Sequence, residues 1–108
     1  MKLLTKALLK QLPPLGATAN DPDPMVICKF FYPDFSWTWF GIEFDGSDIF
    51  FGAVAGDYAE LGSFSLTELK QCRGKLGLPL ERDLYFTPCR LSVLAKQLRA
   101  EYGAYCCF

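Results

Sequence analysis

Histidine is absent from the 108-residue chain, and with it the side chain that most often serves as a general base near neutral pH. A basic surplus is absent too: eleven Lys and Arg stand against twelve Asp and Glu, a formal net charge of −1. Nonspecific binding to DNA or RNA draws its affinity from phosphate neutralisation, so the composition gives no strong nucleic-acid signal. Cys28, Cys72, Cys89, Cys106 and Cys107 are odd in number and contain no C-x-x-C pair. That argues against a disulfide framework or a zinc site and for a reduced compartment. No apolar run approaches the ~18 residues of a membrane span. The opening Met1–Lys10 segment is interrupted by Lys6 and Lys10, so it fails as the apolar region of a signal peptide. The expected location is the cytoplasm. Catalytic signatures are missing as well. There is no G-x-S-x-G elbow, no G-x-G-x-x-G after a strand, and Gly74-Lys75 is followed by Leu76 rather than Ser or Thr, which rules out a P-loop. Neither a cofactor nor a catalytic residue is expected.

What the chain does have is apolar mass. Hydrophobic residues make up 51% and aromatics 16%, with ten Phe, five Tyr and two Trp. That suits one domain with a real core, spanning residues 1–108. Thr5 is placed to cap a helix to about Gln11, with Leu4, Leu8 and Leu12 on one face and Lys2, Lys6 and Lys10 on another; Pro13 and Pro14 end it. Such a basic helix can lie on a membrane surface, but it is short enough that docking on the domain is the preferred reading.

Four strands are expected over Met25–Tyr32, Trp37–Asp45, Ile49–Ala55 and Ala59–Phe64, separated by short turns that imply an antiparallel meander. Ser65-x-x-Glu68 has the pattern of a capping box and opens a helix that Gly74 stops. A fifth strand is expected at Asp83–Thr87. A last helix, capped by Ser92, should run to about Glu101 with Leu91, Leu94, Ala95 and Leu98 inward, ended by Gly103. The fold class is α+β: a mainly antiparallel, four- to five-stranded sheet with about three packed helices.

Side chains alternate across a sheet. In the second strand Thr38, Phe40, Ile42 and Phe44 should therefore share the core face. Trp37, Trp39, Gly41, Glu43 and Asp45 share the other, which starts aromatic and ends acidic. Trp is enriched in the centres of protein interfaces. Trp37 and Trp39, with Glu43, Asp45 and Asp48 beside them, therefore make a candidate partner-binding face for a basic protein. The competing reading covers both indoles with a helix. The carboxylates Glu43, Asp45 and Asp48 have a second reading, a metal or acid–base site. Against it, Asp and Gly dominate turns, which favours a solvated hairpin end. Glu81-Arg82-Asp83 reads as an anion clamp or, preferably, as charges pinning a loop. Cys106 and Cys107 read as reactive thiols or, preferably, as a reduced tail.

A set of motifs stands in order: Lys29-Phe30-Phe31-x-Pro33, Trp37-Thr38-Trp39, Glu43-Phe44-Asp45-Gly46, Phe50-Phe51-Gly52, Glu60-Leu61-Gly62-x-Phe64-Ser65 and Arg82-Asp83-Leu84-Tyr85-Phe86. With Lys2-Leu3-Leu4-Thr5 and Leu12-Pro13-Pro14, they resemble a family of small bacterial proteins classed as a domain of unknown function. The resemblance covers about residues 1–95 and leaves the tail from about residue 99 unmatched. It implies an accessory protein of plasmids, integrative elements and phages. Such genes often encode counter-defence proteins, so the expected function is non-enzymatic binding to a protein such as a host defence nuclease complex, in the manner of an anti-CRISPR or anti-restriction inhibitor. A small carboxylate-dependent metal enzyme and a nucleic-acid-binding regulator are the alternatives.

Overall fold

A computed structural model describes residues 2–108. Helix α1 (Lys6–Gln11) is followed by strands β1 (Met25–Val26), β2 (Cys28–Phe31), β3 (Thr38–Phe44), β4 (Ile49–Ala55) and β5 (Ala59–Ser65). Then come α2 (Leu66–Gln71), β6 (Glu81–Arg82), β7 (Cys89–Arg90), α3 (Leu91–Tyr102) and a 3-10 turn, Gly103–Tyr105. The main sheet is antiparallel with the order β5-β4-β3-β2-β6, and β1 pairs with β7 in a separate two-stranded clasp. The α+β expectation holds. Among the described residues no helix is long and apolar enough to cross a membrane.

The sheet is covered on both faces. On one, Leu3, Leu12, Leu66, Leu69 and Leu80 pack with Phe30, Trp39, Phe44, Phe50 and Phe64, and Leu4 and Leu8 of the α1 region join them. The lysine-flanked first helix thus docks its apolar side on the domain. On the other face Leu94 and Leu98 of α3 cover Val26, Phe40, Ile42, Ala53 and Ala55. The aromatic layer on the first face is anchored by Phe50, which is fully buried against Phe30, Phe44 and Phe64.

Four local expectations are corrected. The apolar run Met25–Tyr32 is two strands, because Ile27 turns its N–H to Gly41 O (2.8 Å) and the chain changes sheets there. The edge strand after α2 is Glu81–Arg82, whereas Asp83–Phe86 is a turn in which Asp83 Oδ1 accepts from Tyr85 N–H (2.9 Å). Ser92 lies inside α3 and does not cap it. Its N–H and hydroxyl instead donate to the Asp23 carboxylate (2.8 and 2.7 Å), so the helix start is capped from a distant loop. Ser65 does cap α2, accepting from Glu68 N–H (3.3 Å), but α2 ends at Gln71 with Cys72 as its C-cap, ahead of Gly74.

The correction with most consequence lies in β3. Gly41 pairs with Gly52, yet Glu43 pairs with Phe51, so two steps on β3 oppose one on β4. That β-bulge inverts the alternation beyond it. Phe44 joins Trp39 on the α1/α2 face rather than Phe40 and Ile42, and Glu43 crosses to the α3 face, where it lines a cleft with Phe51 and Leu91.

Candidate functional site

The bulge separates the two halves of the expected partner-binding face. Trp37 and Trp39 lie on one side of the sheet and Glu43 on the other. Each group has its own chemistry.

Glu43 is the one buried charged residue among those described, only 4% exposed. Its Oε1 accepts from Gly16 N–H (2.8 Å), and its Oε2 from Thr18 N–H (2.8 Å) and from the Thr18 hydroxyl. Burial pushes the carboxyl pKa up, but the Thr18 and Gly16 hydrogen bonds outweigh it and hold the group below the ordinary glutamate range. Glu43 is therefore an ionised clamp for the Gly16–Pro24 loop. The cleft beside it has a volume of about 390 Å³, with Phe51, Leu61, Leu91, Pro22 and Pro24 as apolar walls and Asp21 at its rim.

A pH dependence follows. The folded pKa of Glu43 lies below its unfolded value, so its contribution is full above the unfolded pKa of about 4.3 and is lost as pH falls through the folded pKa. Glu43→Gln should cost about 1–3 kcal/mol at pH 7, because charged hydrogen bonds to three donors are weakened. The gap to the wild type should close as the pH is lowered through the folded pKa. Urea unfolding of both proteins at a series of pH values checks this, and a gap that stays constant would sink the assignment.

Asp45 and Asp48 belong to the β3–β4 turn. Asp45 Oδ1 accepts from the N–H groups of Ser47 (2.8 Å), Asp48 (2.8 Å) and Ile49 (3.0 Å). Asp48 reaches α2 instead, where Oδ1 takes the Thr67 N–H and hydroxyl (both 2.7 Å) and Oδ2 takes the Ser65 hydroxyl (2.8 Å). Those hydrogen bonds lower both carboxyl pKa values. Among the described residues no group of three or more His, Cys, Asp or Glu is arranged to hold a metal ion. Sequence reasoning missed Asp48 as a helix cap because its partners are 17 and 19 residues away.

The aromatic half is a ladder. Trp39 is buried, 7% exposed, and meets Tyr32 edge to face (centroids 5.4 Å apart); Tyr32 meets Phe35 in the same way (5.8 Å). Trp37 joins at 6.0 Å from Trp39 and lies on Gly56, where a Cβ would come within 2.6 Å of the indole. The ladder emerges at Phe35, 41% exposed, with Lys75 Nζ 5.4 Å from the ring centre. Asp34 ties this turn to the loop after α2 by accepting from Leu76 N–H (2.6 Å), which sets the exposed Leu76 side chain nearby. Asp34 Oδ1 is buried without a hydrogen-bond partner among the described residues.

Among the remaining expected groups, Asp83 is held by Lys29 through its N–H to Lys29 O (2.9 Å) and an ion pair at 3.8 Å, which pins the loop. Burial pushes the Cys28 thiol up to about 12. Cys106 and Cys107 lie in a tail that pairs with β5 at Ala59.

No curated protein and no solved structure matches the chain. Residues 3–103, which take in every element from α1 to the end of α3, match the family model described as protein of unknown function (DUF2958). The chain belongs to the DUF2958 family.

Proposed function

We propose that the protein is a non-enzymatic binding module that engages a protein partner through the Trp37–Phe35 end of its sheet. The observation that carries this reading is the aromatic ladder, anchored on buried Trp39 and ending at exposed Phe35 and Leu76. A rigid aromatic anchor beside aliphatic surface is the composition of an interface hot spot. The enzyme reading has less support, since the hydrogen bonds of Glu43, Asp45 and Asp48 go to backbone and hydroxyl donors of the fold. A counter-defence role on a plasmid, integrative element or phage rests on the motif resemblance alone.

The test is affinity capture from host cells with the wild type and a Phe35→Ala/Trp37→Ala variant. Trp39 is kept, because its burial makes it a stability residue. One partner should be captured by the wild type and weakened about 30-fold in the variant, the equivalent of a hot-spot loss of about 2 kcal/mol. Equal capture by both proteins, or no saturable partner, would remove the ladder as the binding face.

A further inference from the structure

Strand β5 ends the main sheet, and its outer side is only partly paired. At one end Gly56 N–H donates to Tyr58 O (2.9 Å), and at the other Leu66 N–H donates to Asp48 O (2.8 Å). Antiparallel ladders alternate between bonded and outward residues. Glu60, Gly62 and Phe64 therefore bond β4, while Ala59, Leu61 and Ser63 turn their N–H and C=O groups outward. The chain's own tail takes the first rung: Cys107 N–H donates to Ala59 O at 2.7 Å, in a parallel bridge with Cys106. Among the described residues nothing pairs with the outward side of Leu61 and Ser63, which leaves them as an open rung. Sheet edges are normally blunted by lysine, proline, a bulge or shortness. β5 has seven residues, no lysine, no proline and an unbroken register with β4.

What lies beside the edge narrows its occupant. Leu61 forms a wall of the cleft that Phe51, Leu91, Pro22 and Pro24 complete and that ionised Glu43 lines. The opposite side of the edge carries exposed Glu60 and Gly62, where a Cβ would meet nothing within 4 Å. Asp45 and Asp48 stand at one end of β5 and Asp57 at the other. No Lys or Arg occurs between Lys29 and Lys70, although that stretch includes Glu43, Asp45, Asp48, Asp57, Glu60 and Glu68. A second copy pairing edge to edge would bring two such acidic rims together. A basic strand would neutralise one.

We propose that the β5 edge is a strand-addition site for an extended segment of a partner protein that alternates apolar and basic residues. Its backbone completes the ladder at Leu61 and Ser63. Its apolar side chains fall toward the cleft, and its basic ones fall toward Glu60, as the period of two requires. This site is separate from the aromatic ladder and does not depend on it.

The probe is a capped synthetic peptide of four Val-Lys repeats, with four Val-Glu repeats as the control, titrated against the full chain by fluorescence anisotropy. The Val-Lys peptide should bind saturably and the Val-Glu peptide should not. Ser63→Pro removes an outward donor that β4 does not use, and proline is tolerated on edge strands. It should weaken binding about tenfold or more, as expected from a lost rung of hydrogen bonds. Glu60→Lys, which leaves the backbone alone, should weaken the Val-Lys peptide and admit the Val-Glu peptide. Phe35→Ala/Trp37→Ala should leave both titrations unchanged, so a failure of the ladder reading is distinguishable from a failure here. Binding that is equal for the two peptides, or indifferent to both edge substitutions, overturns the proposal. So does a concentration-dependent dimer abolished by Ser63→Pro, which would assign the edge to a second copy.

Discussion

Phe50→Ala should lower the free energy of unfolding by roughly 3–5 kcal/mol, the range for truncating a buried phenylalanine. Phe50 is fully buried at the point where four strands each contribute one ring: Phe30 from β2, Phe44 from β3, Phe50 itself from β4 and Phe64 from β5. Its ring stacks on Phe64 at 5.0 Å, leans on Phe44 at 4.4 Å and meets Phe30 edge to face at 5.6 Å. Gly41 makes room for it, since a Cβ there would come 3.1 Å from Phe50 Cδ1. Three rings fixed by their strands cannot collapse far into the cavity, so the loss should sit near the top of the range. A domain of this size has a total stability on the order of 5–15 kcal/mol. Urea unfolding should show a lower midpoint at an unchanged slope. A loss under about 1 kcal/mol would mean that this face repacks freely, against the close packing expected of a core.

Gly52→Ala should be nearly as damaging, at about 3 kcal/mol or more, the upper end for forcing atoms into a packed site. A Cβ on Gly52 would stand 1.8 Å from the Phe40 carbonyl oxygen and 3.2 Å from Ile42 N. Both are backbone atoms of β3 at the bulge, so no rotamer change relieves the clash. Relief requires β3 to move, and the bulge fixes which face Phe44 and Glu43 occupy. Gly62, the ladder partner of Gly52 on β5, is the matched control. A Cβ there meets nothing, so Gly62→Ala should be neutral or mildly stabilising, within about 1 kcal/mol. Thermal unfolding of the two variants side by side decides the matter: equal behaviour would refute the claim that the bulge needs Gly52.

The meander was legible in the sequence because its signals are local. Gly46-Ser47 and Gly56-Asp57 punctuate apolar runs, and Ile49–Ala55 is strand β4 to the residue. Thr5 and Ser65 were legible as caps because each accepts from a residue three positions on. The bulge left no such mark. Phe40, Ile42 and Phe44 read as strict alternation, and nothing in that spacing marks one extra residue. The roles of Glu43, Asp48 and Asp23 were hidden for a related reason: their donors lie 17 to 69 residues away, where spacing arguments do not reach. The split at Ile27 was masked by a continuous apolar run that two different sheets share. The candidate site was therefore half legible. Both indoles and all three carboxylates were found, but their division between opposite faces and a turn was not.

A formal charge of −1 describes this molecule poorly at close range. The β3–β5 meander carries acids and no Lys or Arg, whereas on the β2–β6 side Lys29 and Arg82 stand among Glu81 and Asp83, with Lys29 paired to Asp83. Close to the β5 side an approaching body therefore meets a local negative field that the small net charge does not convey. Fields of this kind act on encounter rates and are damped within a Debye length, about 8 Å at physiological ionic strength. If a basic segment adds to β5 as proposed, that field favours the right orientation before contact. Added salt then slows its arrival far more than it hastens its departure, because departure is set by the short-range contacts that salt barely reaches.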